Sequence, residues 1–332
     1  MGQAAQAAGS TSTSGRALDV LAIGEMLVDM IVHREGDGWR LEAKAGGAPA
    51  NAAVGLARLG CRSGYCGVVS TDFWGEWLLA LLREEGVDDR YVARCREPTT
   101  LAMVRLGEGG EREFSFYRQG TADTLLDARH IPDAALAGAR AIHICSVSLS
   151  KGPAREATLS AVQRARRFGT FVSFDVNWRP MLWEDHSEAK ELVLWTLSQA
   201  DFVKMSEEEM DWLFPGRDES DLLGHPVRAR GAIWVITRGS RPAALLYRDQ
   251  VHRVDGFRVE AVDTTGAGDA FSGAFLARLV EEDFAFADDK ELVRAVKFAH
   301  AAAALCVTRY GGIPAMPRRD EVERLVALGQ GA

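Results

Sequence analysis

Short, largely apolar runs alternate with helical patterns along most of the chain. Leu18–Ile23, Ala141–Cys145, Phe171–Asp175, Phe202–Lys204 and Ala232–Thr237 have the length and character of buried strands. Between them, Pro49–Leu59, Phe73–Glu85, Glu156–Arg167 and Ala189–Leu197 carry helical spacing. Gly60, Gly86 and Gly169 fall where those helices should stop. Strands separated by helices require parallel crossovers. The pattern therefore predicts an α/β fold, a mostly parallel sheet covered by helices on both faces.

Two regions break this rhythm. Val28–His33 and Lys44 flank a turn at Gly36-Asp-Gly38, and Thr99–Leu106 and Arg112–Tyr117 flank Gly107-Glu-Gly-Gly110. Both are hairpin patterns. Two hairpins inserted into an α/β body predict a small β-sheet standing off the core.

Composition narrows the partners. A chain of 332 residues is long enough for a large core. Its net charge of −8 and pI near 5.5 argue against nucleic acid or an anionic membrane as partner. They leave anionic nucleotides open, because local geometry binds those. The five cysteines are odd in number and lack C-x-x-C spacing, which argues against a disulfide framework or structural zinc and suits a reducing cytoplasm. Residues 1–17, rich in Ala, Gly, Ser, Thr and Gln, read as a disordered tail and not as a signal peptide. No apolar stretch approaches the length needed to span a bilayer.

The most informative segment is Glu260-Ala-Val-Asp-Thr-Thr-Gly-Ala-Gly-Asp-Ala-Phe271. It reads as an apolar strand end, a tight glycine turn and the first turn of a helix. Gly266 and Gly268 allow positive φ and close approach of backbone to a ligand. The amides of Gly266, Ala267 and Gly268, with the positive end of the helix dipole, suit phosphate or a developing anion. Into that site the sequence places a carboxylate, Asp269. A base beside an anion hole fits a hydroxyl that loses its proton as charge builds on a transferred phosphoryl group. The plain alternative is a capping acid above a tight turn.

The nine residues from Asp263 to Phe271 resemble the D-T-x-G-A-G-D-x-F signature of the ribokinase-like (PfkB-type) carbohydrate kinases. A second signature of that family, G-G-x-x-x-N-x-A-x-x-x-A-x-L-G, is matched by Gly46-Gly-Ala-Pro-Ala-Asn-Ala-Ala-Val-Gly-Leu-Ala-Arg-Leu-Gly60. Within the family, Gly24-Glu-Met-Leu-Val-Asp29, Glu111–Arg118 and Thr121-Ala-Asp-Thr-Leu-Leu126 look most like fructokinases. The resemblance implies a three-layer α/β/α sandwich over residues 18–318. Its lid would be formed by hairpins at about 28–46 and 98–119, and 319–332 would form a C-terminal helix and tail. A lid excludes water that would otherwise hydrolyse ATP.

The resemblance also implies roles. Asp29, Gly46, Gly47 and Asn51 would hold the sugar, the carboxylate accepting hydroxyls and the amide doing both. Arg118 would hang from the lid and clamp a ketose hydroxyl or, as in 2-keto-3-deoxygluconate kinases, a carboxylate. Asn177 and Arg179, in a D-x-N-x-R match, and Lys204 would face phosphate. Glu209 would order water around Mg²⁺, although Ser206 and Glu209 are equally a helix capping box. Thr237 and Gly239 match a nucleotide turn. His300 stands where fructokinase-like members often carry Asn near adenine, and an ordinary core histidine fits that position equally well. Asp263, Thr265 and Gly311 lie where many relatives bind K⁺ through carbonyl oxygens.

The resulting expectation is an ATP- and Mg²⁺-dependent kinase that phosphorylates a sugar primary hydroxyl, with fructose as the first candidate and Asp269 as base. A 2-keto-3-deoxygluconate kinase or another ketose or nucleoside kinase is the nearest alternative. A nicotinamide-dependent oxidoreductase fails because no G-x-G-x-x-G follows the first strand. The exposed lid sheet suggests a homodimer.

Overall fold

The computed structural model describes residues 16–106, 112–286 and 288–329. Most of the expected N-terminal tail, the Gly107–Gly110 turn and the Phe114 side chain lie outside what is described. The chain begins with β1 (Leu18–Ile23), then β2 (Leu27–Glu35), β3 (Gly38–Gly46), α1 (Ala48–Arg58), β4 (Ser63–Ser70), α2 (Phe73–Glu84) and β5 (Asp88–Cys95). It continues through β6 (Leu101–Leu106), β7 (Arg112–Tyr117), α3 (Asp133–Gly138), β8 (Ala139–Cys145), α4 (Gly152–Arg167) and β9 (Phe171–Asp175). Next come α5 (His186–Gln199), β10 (Phe202–Ser206), α6 (Glu207–Leu213), β11 (Ile233–Arg238), β12 (Arg241–Tyr247) and β13 (Gln250–Val254). The last elements are α7 (Ala267–Glu281), α8 (Asp289–Val307) and α9 (Arg319–Leu328).

The main sheet has the order β13-β12-β11-β10-β9-β8-β1-β4-β5. It is parallel from β11 to β5, and the β11–β12–β13 edge is antiparallel. Alternating side chains build two cores. Leu21, Ile142, Val172, Val203 and Trp234 pack with α4 and α5 on one face. Val20, Ala141, Phe202 and Val235 pack with α1, α7 and α8 on the other. These strands are apolar on both faces because both faces are covered. Gly60, Gly86 and Gly169 follow α1, α2 and α4 with φ of 90°, 72° and 62°, left-handed conformations that end each helix.

The two hairpins join into a second sheet of order β3-β2-β6-β7. Strands β2 and β6 pair in parallel at its centre and leave β3 and β7 as its edges. The smaller sheet roots where β1 ends, through residues 24–26, and so stands beside the carboxyl ends of the parallel strands. That is where open α/β sheets place their ligand crevice. Among the described residues no helix is long and apolar enough to cross a membrane.

Candidate active site

A cavity of about 460 Å³ opens at that edge between the two sheets. One wall comes from the β1–β2 turn and the start of α1 and carries Glu25, Asp29, Gly47 and Asn51, with Phe116 reaching in from the lid. The opposite wall carries Asn177, Arg179, Lys204 and Glu209. Between them lies the turn into α7, with Thr264, Thr265, Gly266, Gly268 and Asp269. The two signatures, far apart in sequence, meet here.

Asp269 is the hinge of the site. It stands in the first turn of α7, whose N-cap is Gly266 at φ 77°. Asn51 Nδ2 donates to Asp269 Oδ2 at 2.7 Å. Asn51 Oδ1 is buried without a protein partner, an acceptor suited to a ligand hydroxyl. Burial, together with the nearby Asp175 charge, raises the Asp269 carboxyl to about 6, against the opposing effects of Asn51, Lys204 and Arg179. Such a group is ionised at neutral pH yet basic enough to take a proton.

The phosphate side is built around Lys204. Its ammonium is buried 3.1 Å from Asp175 Oδ1, and Ser272 Oγ donates to Asp175 Oδ2 at 3.0 Å. Burial alone would lower the Lys204 ammonium, but Asp175, Glu209 and Asp269 more than offset it. A Cβ on Gly268 would stand 2.7 Å from Lys204 Nζ, so glycine lets the helix start and the ammonium share one concavity without displacing the lysine. Asn177 takes φ 41°, a left-handed conformation that Asn tolerates better than most residues. The loop holding it is clamped by Trp178, stacked on Trp212 at 3.9 Å.

Glu209 closes the same loop. Its Oε1 accepts from Trp178 N at 2.7 Å and its Oε2 from Ser206 N at 2.7 Å, while Ser206 Oγ accepts from Glu209 N at 3.2 Å. The capping box is therefore real, and the same carboxylate joins the loops after β9 and β10. Among the described residues no cluster of His, Cys, Asp or Glu could cage a metal ion. Mg²⁺ held chiefly by ATP phosphates, with Glu209 ordering its water, fits this donor set.

On the sugar side, a Cβ on Gly46 would meet Asp29 Oδ2 at 2.3 Å, so Gly46 makes room for the Asp29 carboxylate and does not itself line the cavity. Gly47 takes φ 104° with Glu25 O and Met26 Cα within 2.9 Å of a built Cβ. Gly46 thus makes space for a side chain, and Gly47 for close approach of backbone. Asp263 is buried, and its two oxygens accept from Thr265 N at 2.7 Å and Gly311 N at 2.9 Å. It ties the loop before α7 to the loop after α8, the two loops expected to hold K⁺.

Four expected ligands lie outside this cavity. Arg118 does not hang into the crevice. It is 3% exposed, donates to Asp123 Oδ2 at 2.7 Å and Ser150 Oγ at 2.8 Å, and lies behind the sugar wall. The reason is that Asp123 supplies a buried countercharge, which the sequence pattern alone did not pair with it. Thr237 donates to Met205 O, and Gly239 with Ser240 forms the two-residue turn between β11 and β12. Neither lines the cavity. His300 is buried on α8, edge-on to Phe271, and burial first, then Lys297, lowers it to about 4. It behaves as a neutral core histidine.

Two functional candidates went unassigned in the sequence, Glu25 and Asp175. Each is an acid at the end of an otherwise apolar strand, which was the available signal. Glu25 is 2% exposed, and burial pushes its carboxyl up to about 7 despite the opposing charge of Arg118.

Residues 17–319 match the model of the pfkB family carbohydrate kinases. The chain is 40% identical over 321 residues to fructokinase-1 of Zea mays, covering 94% of this chain and 98% of the relative. It superposes with a TM-score of 0.83 and 33% identity on the Xylella fastidiosa fructokinase with bound ATP, covering 95% and 99% of the two chains. The fructose, ADP and calcium form of Vibrio cholerae fructokinase gives 0.84 and 32%, covering 93% and 99%. With both signatures assembled around one cavity, the chain belongs to the pfkB family of carbohydrate kinases.

Proposed function

We propose that the protein transfers the γ-phosphoryl group of ATP to the primary hydroxyl of D-fructose, giving fructose 6-phosphate. The observation that carries this reading is the position of Asp269, in hydrogen-bond contact with sugar-side Asn51 and in the turn whose Gly268 faces Lys204. Asp269 accepts the hydroxyl proton. Lys204 and the α7 amides balance charge on the phosphates, and Mg²⁺ bound to ATP supplies the remaining neutralisation. Lid closure would exclude water from the reacting groups. The fructose, ADP and calcium form of the Vibrio cholerae enzyme supports this choice of acceptor.

The 2-keto-3-deoxygluconate alternative loses its main support, because Arg118 is paired with Asp123 away from the cavity. A coupled assay with ATP, Mg²⁺ and a panel of fructose, glucose, ribose and 2-keto-3-deoxygluconate tests the assignment. Fructose should give the highest kcat/KM, and a higher value for another acceptor overturns it. We place the enzyme in a reducing cytoplasm, consistent with its five free thiols. The two loops tied together by Asp263 are proposed to hold K⁺, so replacing K⁺ by Na⁺ should lower kcat.

A further inference from the structure

The sugar wall contains a buried carboxylate to which no role has so far been given. Glu25 follows β1 directly. Its Oε1 accepts from Ala48 N at 3.2 Å and its Oε2 from Ser148 Oγ at 3.3 Å, with Cys145 Sγ 3.5 Å from both. A carboxylate has about four acceptor positions. These three donors hold Glu25 in place and leave capacity for a ligand in the cavity it lines. Behind it, Arg118 is fixed by Asp123 and Ser150, and Thr100 and Thr121 hydroxyls donate to Asp123 in turn. Arg118 follows β7, the lid strand that also sends Phe116 into the cavity.

Among the described residues, the cations lining the cavity all come from one side. Arg179 follows β9 and Lys204 lies on β10, whereas Glu25 and Asp29 come from beside β1. Strand β8 separates β9 from β1, which puts the two groups about 10 Å apart at the usual strand spacing. Among the described residues, the wall on the β1 side is thus lined by carboxylates and an amide with no cation.

We propose that Glu25 is a specificity-determining residue of the sugar site, accepting an acceptor hydroxyl and repelling acceptors that carry a carboxylate. This rests on the fructose kinase reading and assigns it a source of discrimination. A neutral polyhydroxyl sugar offers donors to Glu25 and Asp29. A sugar acid brings a like charge against both and finds the Arg118 guanidinium behind this wall already committed to Asp123.

The test compares wild type, Glu25→Gln and Glu25→Asp at pH 8, where Glu25 is ionised, on fructose and on 2-keto-3-deoxygluconate, with thermal melting and KM for ATP as controls. In Glu25→Gln, which keeps shape and one acceptor but loses charge, KM for fructose should rise about tenfold, by more than kcat falls. The preference for fructose over the sugar acid should shrink about tenfold, while KM for ATP and melting show a folded nucleotide site. Glu25→Asp should retain more of the preference than Glu25→Gln. A folded Glu25→Gln enzyme with wild-type KM and wild-type discrimination overturns the proposal alone. A wild-type enzyme that prefers the sugar acid overturns both the proposal and the fructose reading.

Discussion

Asp269 and Glu25 are acids held above their ordinary range by burial, and that has consequences in opposite directions for activity and stability. Asp269 must be ionised to take a proton, and its carboxyl stands at about 6, so kcat/KM for fructose should fall as pH drops through that value. A profile flat down to pH 5 would contradict its role as base. Glu25, raised to about 7, binds a proton in the folded state that the unfolded chain has already released. Its contribution to stability is complete below its unfolded value and is lost as pH rises through about 7. Glu25→Gln should therefore melt higher than wild type at pH 8 and show a smaller difference at pH 5. Arg118 shows the opposite logic. Removing it strands Asp123 as a buried charge, a change worth about 3–5 kcal/mol, and Arg118→Ala should lower Tm by roughly 5–10 °C. An unchanged Tm would show that the pair is dispensable.

At the scale of elements, the turns carry the chemistry. A Cβ at Gly268 meets Lys204 Nζ at 2.7 Å, so Gly268→Ala should displace the ammonium and lower kcat by about 10- to 100-fold, the worth of one charge-assisted hydrogen bond. Wild-type kcat in that variant would show that Lys204 does not act from this position. Periodicity made the central strands β1 and β9 legible to the residue, because both are short apolar runs bounded by loop residues. It missed β4, where Gly64 and Gly67 interrupt the run. Gly67 is needed because Gly24 O and the Tyr65 ring crowd its would-be Cβ. It also missed β5, whose charged residues sit on a sheet edge, and the β12–β13 hairpin. Motifs and their spacing pointed to Asp269, Asn51, Asp29 and Lys204, which together line one cavity. They misplaced Arg118, since a local pattern cannot show that Asp123 captures the guanidinium, and they passed over Glu25 and Asp175.

On the scale of the whole molecule, two sheets meet so that one cavity is lined by residues of both. The lid's edge strands β3 and β7 carry exposed Trp39, Leu41 and Tyr117, which are natural pairing groups for a second copy. Sedimentation should detect a dimer, and a strictly monomeric enzyme would leave those edges without that role. The central claim is that the two halves of the cavity act on each other through Asp269. Asp269→Asn tests it most directly, because the amide nearly matches the carboxylate in shape but cannot accept the hydroxyl proton. At saturating fructose, ATP and Mg²⁺, kcat should fall by about 10²–10⁴. Melting and binding of both substrates should stay close to wild type. A folded Asp269→Asn enzyme that keeps more than about a tenth of wild-type kcat, short of that general-base range, would contradict the account.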